Sequence, residues 1–168
     1  AQENCEMMNL RELLQLLAQH RVEFIIVGGV AATLHGSARS TQDLDIVYAR
    51  SAGNHRRLVA ALRGHRPYLR GAPPGLPFLW DEETIRHGLN FTLETDLGDL
   101  DLLGEIAGGG GYDELRPHSV EFEGFGLRLL CLDLDTLIRV KRAAGRPRDQ
   151  EAIAELRVIR EERDKRGS

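Results

Sequence analysis

Leu10, Leu13, Leu14 and Leu17 recur at three- and four-residue spacing, which predicts an amphipathic helix over residues 6–20. The pattern then changes to a continuous apolar run over 23–27, rich in β-branched residues, which predicts a buried strand. Gly28-Gly29 closes that run. A short helix is expected over 30–35, stopped by Gly36, and a second strand over 43–48. Leu58, Ala61 and Leu62 give an apolar face to a helix over 54–63. From 64 to 77 the chain is dense in Gly and Pro and predicts a loop. A short helix over 81–87 precedes two strands, 90–95 and 99–106, that turn near Asp96-Leu97-Gly98. Gly108 to Gly111 read as a flexible connection. Residues 119–123 and 126–132 predict a hairpin around Gly124. Helices over 134–144 and 149–163 follow, separated by Gly145-Arg146-Pro147, with Asp133 or Asp135 placed to cap the first. Strands that pair as hairpins exclude a purely parallel sheet. The expected fold class is α/β (α+β), a mixed β-sheet with flanking helices.

A chain of 168 residues has room for one domain, expected over 1–168 with a core at 22–106 and C-terminal helices at 133–168. With 42% hydrophobic and 29% charged residues, composition excludes a disordered chain. Apolar stretches fall far short of the roughly 20 residues that cross a bilayer, so no membrane association is expected. Glu3, Glu6 and Glu12 stand where a secretory leader would carry basic and then apolar residues. Cys5 and Cys131 fit no zinc or redox spacing, and a reducing cytoplasm is the expected compartment. Net charge is −4, unevenly spread: residues 137–168 hold ten Lys or Arg against six Asp or Glu, and the remainder is net −8.

Chemistry concentrates between Val27 and Ile46. In a strand, residues two apart share a face, so Asp43 and Asp45 project together while Leu44 and Ile46 enter the core. Paired carboxylates repel unless a hard divalent cation sits between them. If 39–45 is extended throughout, Arg39, Thr41, Asp43 and Asp45 form one face suited to a metal-bound polyphosphate. Gly28-Gly29, without side chains, can offer backbone N–H groups to an anion. Glu94, Asp96, Asp99 and Asp101 are candidates for a third acid. Asp101, between Leu100 and Leu102, repeats the apolar-Asp-apolar pattern of Asp45 and is preferred, with Asp99 the alternative on the same face. Other signatures are lacking: there is no Gly-x-Gly-x-x-Gly, no phosphate loop, no Gly-x-Ser-x-Gly elbow and no paired-histidine zinc spacing.

Gly28-Gly29, thirteen intervening residues and Asp43-Leu44-Asp45-Ile46 resemble the signature of the DNA polymerase β-like nucleotidyltransferase superfamily. Arg39, Thr41, Asp43 and Asp45 are similar to the Arg-x-Thr-x-Asp-x-Asp run of its small bacterial members. Lys141 and Gly145-Arg146-Pro147-Arg148-Asp149 resemble the C-terminal part of abortive-infection toxin-type nucleotidyltransferases. The resemblance implies a nucleotidyltransferase-like fold and transfer of a nucleoside monophosphate from a nucleoside triphosphate such as ATP to a hydroxyl. It implies Asp43, Asp45 and Asp101 as catalytic ligands of two Mg²⁺ ions, with Gly28, Gly29, Arg39, Thr41 and Lys141 binding the nucleotide. RNA (tRNA above all), a protein hydroxyl and a small molecule such as an aminoglycoside are the candidate acceptors. An antitoxin protein is a further expected partner. The alternative is a nucleotidyltransferase-like binding module, or toxin–antitoxin partner, without catalysis.

Overall fold

The alternating apolar segments assemble into a seven-stranded mixed sheet in a computed structural model, which describes residues 2–41 and 43–167, with side chains from Asn9 onward. In chain order the strands are β1 Phe24–Val27, β2 Leu44–Tyr48, β3 Tyr68–Leu69, β4 Phe91–Thr95, β5 Gly98–Leu103, β6 Glu105–Ile106, β7 Gly110–Gly111, β8 Ser119–Gly124 and β9 Leu127–Leu132. The sheet order is β3-β4-β5-β2-β1-β9-β8, with β6 and β7 forming a separate small hairpin. β2 runs parallel to β5 and β1 parallel to β9, whereas the other neighbours are antiparallel. The helices are α1 Gln2–Gln19, α2 Gly28–Leu34, α3 Ala52–Leu62, α4 Glu82–His87, α5 Tyr112–Leu115, α6 Leu134–Ala144 and α7 Gln150–Arg166. The expected mixed α/β architecture is the one observed.

One continuous core links Leu13, Leu14 and Leu17 of α1 with Ile25, Ile46 and Leu102 of the central strands and Leu137 of α6. α1 lies against β5 and α3, α2 against β1, β2 and β9, and α6 against α2 and α7. Buried polar groups are few. Asn54, fully buried, accepts from the Glu23 N–H (2.7 Å) and donates to the carbonyls of Glu23 (3.0 Å) and Ala49 (2.8 Å), tying α3 to the ends of β1 and β2. Asp133 caps α6 by accepting from the Thr136 N–H (2.8 Å).

Several local expectations need correction. The punctuated segment 64–77 contains β3, because Tyr68 and Leu69 pair with Glu94 and Leu93. Gly108 to Gly111 are no slack connection: they turn the β6–β7 hairpin, packed so that a Cβ on Gly108 would strike Ala143 (2.5 Å) and one on Gly109 would strike Leu115 (2.9 Å). The β8–β9 hairpin turns at Phe125-Gly126, not at Gly124; both have positive φ (55° and 75°), the twist two-residue hairpins favour. α2 begins at Gly28 itself rather than at Val30.

Candidate active site

β2 and β5 place Asp45 directly beside Asp101 in parallel register, with Leu44 beside Leu100 and Ile46 beside Leu102. The two apolar-Asp-apolar triplets are thus aligned strand to strand. Period-two alternation sends Leu44, Leu100, Ile46 and Leu102, all fully buried, to one face and both carboxylates to the other. On the far side of β2, Asp45 pairs with Val27, the last residue of β1, so the start of α2 stands next to it. Gly28 has φ +68°, and any Cβ there would run into the Asp45 carboxylate. Only glycine lets that backbone come so close to the acid.

Asp45 is mostly enclosed, and its Oδ1 meets no hydrogen-bond partner. Burial raises its pKa to about 7, reinforced by the negative charge of Asp101 and, more weakly, Asp43. Burial likewise raises the pKa of Asp43, opposed by the charge of Arg70. Asp43 precedes β2 and is half-exposed (side chain 47%), and Gln42 before it lies outside the described residues. The uniform extended face expected over 39–45 therefore does not hold as a strand. Arg39 instead meets α7, its guanidinium 3.0 Å from Glu151 and 3.9 Å from Glu155. Thr41 stays near the site: its hydroxyl donates to the Asp43 carbonyl (3.3 Å) and would lie 2.6 Å from a Cβ on Gly29.

Arg70, which sequence reasoning passed over, sits among the acids. Its guanidinium reaches Asp101 (2.7 Å), Asp99 (3.2 Å) and Asp43 (4.0 Å) and donates to the Leu93 carbonyl (3.0 Å). Within a Gly/Pro-rich stretch an arginine carries no periodic signal, and only the β3–β4 pairing brings it here. Both Asp99 and Asp101 thus belong to the acidic cluster, but only Asp101 flanks Asp45.

Beside the carboxylates lies a cavity of about 320 Å³. Its floor is apolar, from Val27, Leu103, Ile106, Leu137 and Val140, and its polar lining includes Asp45, Asn90, Glu105, Lys141 and Arg146, next to Gly28. Lys141 lines this cavity together with Asp45, and Arg146 joins it while pairing with Asp149 (2.7 Å). Among the described residues no three His, Cys, Asp or Glu side chains already stand in a metal-holding group; the Arg70 guanidinium lies among the carboxylates. The donor set nonetheless fits a hard divalent cation: carboxylate oxygens only, with Asp45 Oδ1 buried and unsatisfied.

No protein-family model matches the chain, and no curated protein matches it. No helix among the described residues is long and apolar enough to cross a membrane.

Proposed function

We propose that the chain is a divalent-cation-dependent nucleotidyltransferase, similar to the small bacterial members of the polymerase β-like superfamily. The observation that carries this is the Asp45–Asp101 pair, in register, with Asp45 Oδ1 buried and unsatisfied and Asp45 Oδ2 against the Gly28 backbone. Asp45 and Asp101, with Asp43 at the rim, would hold Mg²⁺, whose bound charge would neutralise a triphosphate and an attacking oxygen. The cavity suits a nucleotide: apolar walls for a base and sugar, with Lys141 and Arg146 as cations for phosphate oxygens. The bare Gly28-Gly29 backbone lies against the Asp45 carboxylate and the Thr41 hydroxyl, where no Cβ would fit, so phosphates bound by its N–H groups would stand next to the acids. In the reaction an acceptor hydroxyl oxygen attacks the α-phosphorus and the bond to the α–β bridging oxygen breaks. Pyrophosphate leaves with that electron pair, and the hydroxyl proton passes to a carboxylate of the cluster. Positioning and charge neutralisation are all such a transfer asks of a protein.

The test is incubation with each α-labelled NTP and Mg²⁺, offering total RNA, cell protein and aminoglycosides in turn. Label should appear in one acceptor and fall to background in Asp45→Ala. If the native protein neither binds an NTP nor transfers label, the proposal fails. One observation favours the second reading, a nucleotide-binding module without catalysis: Arg70 already neutralises Asp101. NTP binding with no transfer to any acceptor would support that module, with an antitoxin-type protein as its partner.

A further inference from the structure

Three carboxylates, Asp43, Asp99 and Asp101, converge on one guanidinium, and the innermost acid, Asp45, is not among its partners. This division has consequences. A cation bridging Asp45 and Asp101 must share Asp101 with Arg70, whose Nη2 takes Asp101 Oδ1 at 2.7 Å. Two positive groups on one carboxylate oppose each other in a partly enclosed site, where screening by water is weak. Arg70 can be displaced: its side chain keeps 26% exposure, and it is followed by Gly71 (φ +80°) inside the Gly/Pro-rich segment. Its backbone N–H is anchored to the Thr92 carbonyl at 2.9 Å, and besides the carboxylates the guanidinium gives up one bond on leaving, to the Leu93 carbonyl at 3.0 Å. A displaced guanidinium is a planar fork of donors, well matched to phosphate oxygens.

Resting on the proposed nucleotide reaction, we infer that Arg70 is an exchangeable counter-ion. It holds the carboxylates together in the free protein, yields Asp101 to the divalent cation, and transfers its hydrogen bonds to the triphosphate that arrives with it. Metal and nucleotide therefore bind cooperatively, each removing the other's obstacle, and the coupling is reciprocal. Arg70 is in this sense a positioning residue. It suppresses metal binding without nucleotide and supports it with nucleotide.

The experiment measures Mn²⁺ binding by electron paramagnetic resonance, with the metal alone and then with α,β-methylene-ATP, which cannot transfer its nucleotidyl group. Folding of each variant is checked by circular dichroism. Arg70→Gln should bind Mn²⁺ alone about tenfold more tightly than the native protein, while the further tightening caused by the analogue should shrink severalfold, to the part the phosphates supply by ligating the metal directly. Arg70→Lys keeps a charge but loses the fork; it should lie between the two and serves if the glutamine variant does not fold. A merely structural arginine would give weaker metal binding when removed, the opposite sign. If the native protein binds Mn²⁺ with the analogue but neither variant tightens binding of the metal alone, the exchange is refuted and the nucleotidyltransferase reading stands. If neither native protein nor variants bind Mn²⁺ under either condition, that reading falls and the exchange falls with it.

Discussion

Burying Asp45 against Asp101 costs folding free energy, because two carboxylates in a site with little water repel, and one Asp45 oxygen meets no donor. With its pKa raised from the usual 3.8 to about 7, the folded state holds a proton that the unfolded chain has released. The stabilisation this brings is complete below the unfolded value and is lost as pH rises through about 7. Asp45→Asn, which mimics the protonated acid, should therefore raise the melting temperature at pH 8 by about 3 °C or more in the absence of divalent cations. At pH 5 it should change it little. Scanning calorimetry at the two pH values checks both halves, and equal shifts at both would mean that charge is not the cause. Gly28 belongs to the same scale, since its missing Cβ is what lets the backbone lie against Asp45.

Among the elements, α7 is tied to the start of the site by polar contacts rather than by a broad apolar face. Buried His35, just after α2, has Nε2 2.6 Å from the Leu132 carbonyl and Nδ1 3.2 Å from an Arg163 nitrogen. With Nδ1 accepting from Arg163, the ring is neutral and donates through Nε2. Glu155 accepts from the Ser37 hydroxyl and Glu151 pairs with Arg39, so α7 grips the whole 35–39 turn. Burial, with the charge of Arg163, lowers the His35 pKa below 6.5. A base so shifted contributes stability that is complete above 6.5 and is lost as pH falls below it. Amide protection factors along α7 should drop severalfold between pH 7.5 and pH 5.5, and His35→Gln, which cannot take up the proton, should flatten that dependence in hydrogen-exchange measurements. The strand period makes Asp45, Asp101 and their apolar flanks legible in the sequence. Arg70 and the grip of α7 on Arg39 are not, because they depend on which strands and helices become neighbours, and a two-residue β3 leaves no periodic trace. The glycine run misled for a related reason: composition cannot distinguish slack chain from backbone packed too tightly to carry side chains.

For the whole molecule, charge is segregated: the last 32 residues are net +4 and the rest net −8. Lys141 and Arg146 reach the cavity, while Arg139, Arg142 and Arg148 are exposed around the end of α6. On the proposed reaction, this edge would suit a polyanionic acceptor, with RNA ahead of a cationic aminoglycoside, although the net −8 of the rest would oppose it. Paired charge reversal, Arg146→Glu with Arg148→Glu, should cut RNA labelling by at least about tenfold and flatten its salt dependence. Gel-resolved label transfer at low and high salt checks this; unchanged labelling under both would move the acceptor to a small molecule or a protein hydroxyl.

The parallel join of β2 to β5 also orders events in time. More than fifty residues separate Asp45 from Asp101 in the chain, and α3, β3, α4 and β4 must be threaded between them before the two strands meet. Loop closure over such a span is slow compared with forming a local hairpin. During synthesis the antiparallel β1–β2 pair, joined through α2, can form early, carrying Asp45 before Asp101 is beside it. The ribosome must release residues through Leu103 before that acid acquires its repulsive neighbour, and through Leu132 before β9 covers the other edge of β1. A nascent chain halted between these points would display an open strand edge, the kind of surface that recruits chaperones or other unfinished chains.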